Sequence, residues 1–130
     1  MHFVKIHVRK GKTAGYTNQL LDIVHQTIVN VLKVPEHDRL QQLYEFDAWN
    51  FEIPSDKTEN FVILELTIFK GRSNETKKKL YAELAKNLNA KLGIDGNDLL
   101  IIIHEPPLEN WGIKGGKPAN EVDLGFNVDV

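Results

Sequence analysis

The chain has 130 residues, of which 42% are hydrophobic and 26% are charged, and its formal net charge is −2. This balance predicts one globular domain with a core of its own, and the slight negative charge argues against a nucleic-acid-binding surface. The absence of cysteine excludes disulfides, thiol catalysis and cysteine-ligated metal centres. Because no apolar run reaches about 18 residues and the start lacks a signal-peptide pattern, we expect a cytoplasmic protein that does not span a membrane.

The first predicted element is a strand that begins at residue 2. Apolar residues alternate there with polar ones, as in a strand with one face on the core, at Val4, Ile6 and Val8. A K-G-K-T turn follows, in which Thr13 can cap a helix. That helix is predicted from an apolar stripe with a spacing of four, Leu20, Val24, Ile28 and Leu32. It should end near Pro35, and a second strand is predicted over 40–46.

The same order of elements returns 60 residues later along the chain. Gly71 repeats Gly11 and Asp98 repeats Asp38 at this offset. A second helix stripe falls in the same register, at Leu80, Leu84, Leu88 and Leu92. We therefore predict two β-α-β pseudo-repeats, about 2–46 and 61–105, each with parallel strands joined by a right-handed crossover.

Together the two units predict an α+β fold, with one four-stranded sheet and both helices on one of its faces. The segment 47–60 is predicted to be a linker hairpin, and 106–130 a C-terminal extension. Short extra strands are predicted in both segments from alternating apolar residues, Trp49, Phe51 and Ile53 in the first and Leu124, Phe126, Val128 and Val130 in the second. The sheet face that carries Phe3 and Ile63 has no predicted cover, which favours an oligomer.

Three positions are candidates for chemistry. The α-amine of Met1 has an ordinary pKa of about 8 and could act as a general acid or base, or could simply start the strand. Lys70 and Arg72 lie between a strand and a helix N-terminus, where they could bind a carboxylate or a small phosphate, or form a solvated turn. Asp38 could orient a base, or cap a turn with Arg39 as its partner.

Neither a metal site nor a phosphate loop is predicted. The histidines and acidic residues that could ligate a metal lack the spacing of a metal site: His25, His37, His104, Glu105 and Glu109. The I-K-G-G-K-P sequence at 113–118 is rich in glycine, but it does not join a strand to a helix. We interpret it as a turn.

The order and spacing of several segments resemble the tautomerase superfamily. The segments are H-F-V-K-I-H-V-R-K-G-K-T, V-P-E-H-D-R, G-R-S-N-E-T-K-K-K-L-Y and E-N-W-G. They are similar to the two-unit branch that contains malonate semialdehyde decarboxylase and uncharacterised bacterial tautomerase-like proteins. The resemblance covers nearly the whole chain. It implies a homotrimer of two-unit chains that needs no cofactor and acts on a small carboxylate.

The resemblance also implies roles for individual residues. The hallmark of the superfamily is an amino-terminal proline that transfers protons, and His2 stands in its position. Because removal of methionine generally needs a small second residue, Met1 should remain, and either its amine or the His2 imidazole would carry the proton. Asp38 matches the aspartate that assists the amine. Arg72 matches one carboxylate-binding arginine, and Lys70 falls where the decarboxylase branch has another.

Three functions remain open at this point. The first is a tautomerase-like enzyme acting on a small keto acid, enol or semialdehyde, with isomerase, decarboxylase and hydratase chemistry all within the resemblance. The second is a non-catalytic trimer that binds a small anion or a partner. The third is a trimeric scaffold without a ligand. The replacement of proline by His2 is the feature that keeps the second and third open.

Overall fold

One four-stranded sheet, two long helices and a short strand pair make up the fold, and the computed structural model describes all 130 residues. The elements are β1 (His2–Arg9), α1 (Ala14–Leu32), β2 (Gln41–Phe46), β3 (Val62–Ile68), α2 (Asn74–Leu92), β4 (Leu99–His104), β5 (Gly112–Ile113) and β6 (Lys117–Pro118). The large sheet has the order β2-β1-β3-β4. This is the predicted α+β fold with two β-α-β units.

The offset of 60 residues is visible in the geometry. Helices α1 and α2 begin 60 residues apart and end 60 residues apart. The parallel pairs share a register, because Val4 pairs with Gln41 and Leu64 pairs with Ile101. The two pairs join where β1 runs antiparallel to β3, with Lys5 opposite Glu65.

Both helices begin and end with the chemistry that the sequence indicates. The Thr13 hydroxyl accepts a hydrogen bond from the Tyr16 amide, and Ser73 accepts one from the Thr76 amide in the same way. Such caps satisfy amides that have no partner within the helix. At the other end, Lys33 and Gly93 adopt left-handed conformations with φ of 58° and 67°, which terminate the helices.

The core lies between the helices and one face of the sheet. The inward residues of β1 and β3 meet the two helix stripes, and almost all of these side chains are fully buried, including Val4, Ile6, Leu20, Val24, Ile28, Leu64, Leu66, Leu80, Leu84 and Leu88. Complete burial of such a side chain typically contributes about 1.5–3 kcal/mol. Neither helix is long and apolar enough to cross a membrane.

The opposite face of the sheet is uncovered in the single chain. Tyr44, Leu100 and Ile102 are exposed there although they are large and apolar. A cavity of about 300 Å³ on this face lies between the strands and the linker. His7 and Glu65 line it, with His7 Nε2 2.6 Å from a carboxylate oxygen of Glu65.

The extra strands are not where the sequence predicts them. Residues 47–60 form no hairpin but a 3-10 helix, Ala48–Asn50, followed by turns, and Trp49 is 78% exposed. Residues 124–130 form no strand either. The Phe51 carbonyl accepts from the Arg9 guanidinium, and the Val130 main-chain oxygen accepts from Ser73, so these groups bond to side chains and not to a ladder. The short strands are β5 and β6, on either side of the glycine-rich turn.

Candidate active site

A cavity of about 380 Å³ opens beside the start of β1. Three separate segments form its walls: the chain start, the loop between α1 and β2, and the C-terminal region that includes β5. The lining residues are Met1, Pro35, His37, Asp38, Ile113, Lys114, Leu124 and Phe126. Two predicted site residues, Met1 and Asp38, are therefore brought together in one cavity.

The Met1 amine forms an ion pair with the Asp38 carboxylate, and both residues line this cavity. The amine nitrogen lies 3.3 Å from Asp38 Oδ2. The Asp38 amide donates to the Pro35 carbonyl at 3.1 Å, which fixes the turn, while Arg39 is paired with Asp22 and not with Asp38. Partial burial lowers the pKa of the Met1 amine from its ordinary value, and the Asp38 charge opposes this shift.

The His2 imidazole faces the core and does not line the cavity. Because side chains alternate along β1, residue 2 points to the same side as Val4, and its ring is 1% exposed. The ring stacks on His25 with centroids 6.4 Å apart, and His25 donates from Nε2 to the Glu36 carbonyl at 2.8 Å.

The buried His2 ring is neutral at neutral pH. Burial lowers the pKa of His2 to about 4, although the nearby Asp38 carboxylate opposes the shift. Its Nδ1 lies 3.6 Å from Asp38 Oδ2, too far for a hydrogen bond, and neither ring nitrogen has a partner. The contact is therefore one between a neutral ring and a carboxylate.

Arg72 lies close to the cavity but does not line it. Its side chain is 6% exposed, its Nη1 donates to the Phe69 carbonyl at 3.0 Å, and its buried Nε has no partner. The guanidinium carbon is 5.8 Å from the centre of the Phe126 ring, which forms part of the cavity wall. Lys70 is exposed and makes no hydrogen bond or ion pair, and it does not line the cavity.

The C-terminal segment is what places Phe126 between these groups. It crosses the start of α2, where Ser73 and Thr76 both donate to the main-chain oxygen of Val130. Gly71 has φ of 145°, and a Cβ there would lie 2.9 Å from Val128, so the tail can approach only because residue 71 is glycine. The predicted anion site before α2 is thus covered by the chain's own tail.

Sequence reasoning missed most of the cavity wall. Most lining residues come from segments that are far apart in the chain, and no short motif links them. They are His37, Ile113, Lys114, Leu124 and Phe126. The alternation of apolar residues in the tail was a usable signal for burial, but it indicated a strand. The glycine-rich segment was predicted to be a turn, and the structure confirms a turn at 114–116. The sequence did not indicate that Lys114 in this turn would reach the cavity.

Comparison with known proteins decides the family. A family model described as "Tautomerase enzyme" matches residues 38–114, more than half of the chain. The chain belongs to the tautomerase family. The resemblance predicted from the sequence is confirmed, including the two-unit branch.

Relatives of this tautomerase family member include proteins of similar length. "Probable tautomerase YrdN" of Bacillus subtilis (strain 168) is 30% identical over 122 residues, covering 90% of this chain and 94% of the relative. The structure of FG41 malonate semialdehyde decarboxylase, inhibited by 3-bromopropiolate, is 26% identical with a TM-score of 0.77, covering 89% and 92%. A fused 4-OT described as a symmetric trimer has a TM-score of 0.80 at 22% identity, covering 91% and 96%, and shows the same fold.

Proposed function

We propose that this tautomerase family member is a cofactor-independent enzyme that moves a proton between oxygen and carbon in a small enol or keto acid. The Met1 α-amine is the proton carrier in this proposal. The observation that supports it is the ion pair of the amine with Asp38, 3.3 Å apart, between two residues that line the cavity. The lowered pKa of the amine leaves a larger neutral fraction at neutral pH than an ordinary terminus has.

The proposed reaction is a balanced proton transfer. The neutral amine accepts the proton of the enol hydroxyl, whose O–H electron pair becomes part of the new carbonyl. The electron pair of the carbon–carbon double bond then takes a proton from the resulting ammonium to form the C–H bond. Asp38 stabilises the transient ammonium, because an anion within about 4 Å favours the charged form.

His2 and Arg72 act on the amine without contacting substrate in this proposal. The neutral His2 ring fills the core beneath residue 1 and fixes the direction of the strand start. The Arg72 charge lowers the pKa of the amine, in the direction opposite to Asp38. The predicted carboxylate-binding roles of Arg72 and Lys70 stay predictions. Arg72 would need the Phe126 ring to move before a substrate could reach it.

We also propose that the chain acts as a homotrimer. The exposed apolar residues on the bare sheet face support this, as does the fused 4-OT described as a symmetric trimer with the same fold. Association of copies through this face would bury Tyr44, Leu100 and Ile102.

The experiment that tests the enzymatic proposal separates the amine from the imidazole. His2→Gln removes the imidazole but retains a large second residue, so that Met1 stays in place. Acetylation of the terminal amine removes the base and leaves His2 unchanged. With phenylenolpyruvate as substrate, we expect His2→Gln to retain most of the wild-type kcat, because His2 positions the strand start but does not transfer the proton. Acetylated protein should be slower by about a hundredfold or more, the usual contribution of a general base. Intact mass measurement confirms that Met1 is the terminus.

A second candidate function is non-catalytic binding of a small anion by the same cavity. The observation that favours it is the burial of the His2 ring away from the cavity, at the position where the sequence resemblance implies a catalytic proline. Activity at background for wild type on every enol and semialdehyde, together with measurable carboxylate binding, would favour this candidate over the enzyme.

A further inference from the structure

We infer that Lys114 binds the carboxylate of the substrate, and that the substrate is a 2-oxo or enol acid whose carbon chain carries an apolar group. This inference rests on the proposed function for the identity of the reacting group, but its binding test does not depend on turnover. It assigns to Lys114 the cationic role that the sequence suggested for Lys70.

Lys114 is held against the cavity wall by its backbone and its side chain. Its φ of 48° lies in the left-handed region, which the tight turn between β5 and β6 requires at this position. Its Nζ donates to the Asp123 carbonyl at 2.7 Å, directly before the wall residue Leu124. The ammonium is thereby fixed beside the cavity at the tip of the turn between β5 and β6.

The positive charge of Lys114 is not neutralised within the chain. Its one hydrogen-bond acceptor is a neutral carbonyl, and no carboxylate lies within ion-pair distance of it. The ammonium keeps two further donor positions for an anion. Arg72, by contrast, is buried, already donates to Phe69, and does not line the cavity. A carboxylate entering the cavity meets Lys114 without any movement of the tail.

The other residues that line the cavity determine which carbon chain the substrate can carry. Ile113, Leu124 and Phe126 give the cavity apolar lining, and Asp38 and the ammonium of Lys114 give it charged groups. A volume of about 380 Å³ lies at the small end of the range for ligand pockets. A small acid with an aryl or branched alkyl substituent fits this distribution, with its carboxylate on Lys114 and its reacting carbon facing the amine.

The test compares carboxylate recognition in Lys114→Gln with that in a matched control. Lys117→Gln removes another exposed lysine, three residues along the same hairpin, but residue 117 does not line the cavity. The probes are 3-phenylpropanoate and its neutral amide, titrated by calorimetry against the full chain. Wild type and Lys117→Gln should prefer the carboxylate, and Lys114→Gln should lose about tenfold in carboxylate affinity while its amide affinity is unchanged. Lys114→Arg should restore the preference.

Steady-state kinetics provide a second test of the role of Lys114. For an active enzyme, Lys114→Gln should raise KM for phenylenolpyruvate about tenfold and change kcat little, because the contact is made in the ground state as well as the transition state. Unchanged carboxylate affinity and KM in Lys114→Gln would overturn the inference even if the enzyme is active. Loss of carboxylate binding in Lys114→Gln with no turnover by wild type would uphold Lys114 as the anion site and reject the enzymatic proposal instead.

Discussion

The proton affinity of the Met1 amine depends on the charged residues that face it. Asp38 raises the pKa of the amine, whereas burial and the Arg72 charge lower it. Since the neutral amine is the proposed base, kcat/KM should rise with pH as the amine loses its proton. The position of that rise is therefore a direct readout of which group is the base.

We predict opposite pH shifts for two variants. Asp38→Asn removes the anion that raises the amine pKa, so the rise in kcat/KM should move to lower pH. Arg72→Gln removes a cation that lowers it, so the rise should move to higher pH. Full pH profiles of kcat/KM for both variants and wild type check this, with circular dichroism to confirm the fold. Two shifts in the same direction, or a rise near pH 4 where His2 titrates, would contradict the amine as base.

A gain of activity is expected from His2→Pro. Proline in the second position permits removal of methionine and places a secondary amine where the sequence resemblance implies one. Because Asp38 already faces this end of the chain, we expect enol–keto activity above that of wild type, measured with phenylenolpyruvate after intact mass has shown that Met1 is absent. His2→Ala also permits removal of methionine but provides only a primary amine, so it is the matched control. Equal activity of the two variants would show that the secondary amine gives no advantage in this cavity.

The two β-α-β units use their equivalent aspartates differently. Asp38 faces the amine of residue 1, whereas Asp98 accepts hydrogen bonds from the amide and hydroxyl of Thr58. Position 61 corresponds to position 1 in the repeat, but residue 61 lies within the chain and therefore has no free α-amine. Main-chain and hydroxyl donors therefore take the place of an amine, and Asp98 is 3% exposed. The second unit has a structural contact where the first has a candidate site.

We predict that Asp98→Asn destabilises the fold without altering the cavity. Hydrogen bonds to a charged group typically contribute about 1.5–3 kcal/mol, so the free energy of unfolding should fall by about this amount and the urea midpoint should fall with it. The Thr58 donors lower the pKa of Asp98, so its contribution is complete above the unfolded-state pKa and is lost as pH falls through the folded value. The stability difference between wild type and variant should therefore shrink in acid. Asp95→Asn, an exposed position, is the control, and equal effects of the two substitutions would reject this role.

Prediction from sequence succeeded where local chemistry decides the structure. The spacing of apolar residues and the residues that cap and end a helix are local features of the chain. The two helices and the four strands of the large sheet could therefore be predicted from the sequence. A strand also needs a partner, and alternation alone could not show that residues 49–53 and 124–130 have none. The candidate site divides in the same way. Met1 and Asp38 were predicted, whereas Lys114 and Phe126 reach the cavity only through the path of the C-terminal segment.

At the scale of the whole molecule, the bare sheet face combines a hydrogen-bonded polar cluster with apolar side chains. His7 and His104 both contact Glu65, which lowers the pKa of this carboxyl through their hydrogen bonds. The Glu65 carboxylate therefore has a hydrogen-bond partner in each neighbouring strand, His7 in β1 and His104 in β4. On the same face, the apolar side chains of Tyr44, Leu100 and Ile102 are exposed, and a cluster of exposed apolar residues marks an interaction surface. These features fit a face that is covered by further copies of the chain.

The proposed homotrimer yields a prediction for sedimentation. At micromolar concentration the chain should sediment with about three times its mass of 14.8 kDa. Ile102→Asp places a charge on the bare face of β4, and burial of an unpaired charge in an interface is costly, so this variant should be a folded monomer. Ala82→Asp adds the same charge to the exposed side of α2, which leaves the sheet face unchanged, and should remain a trimer. A wild-type monomer would reject the assembly. A trimer in both variants would show that copies meet through another surface.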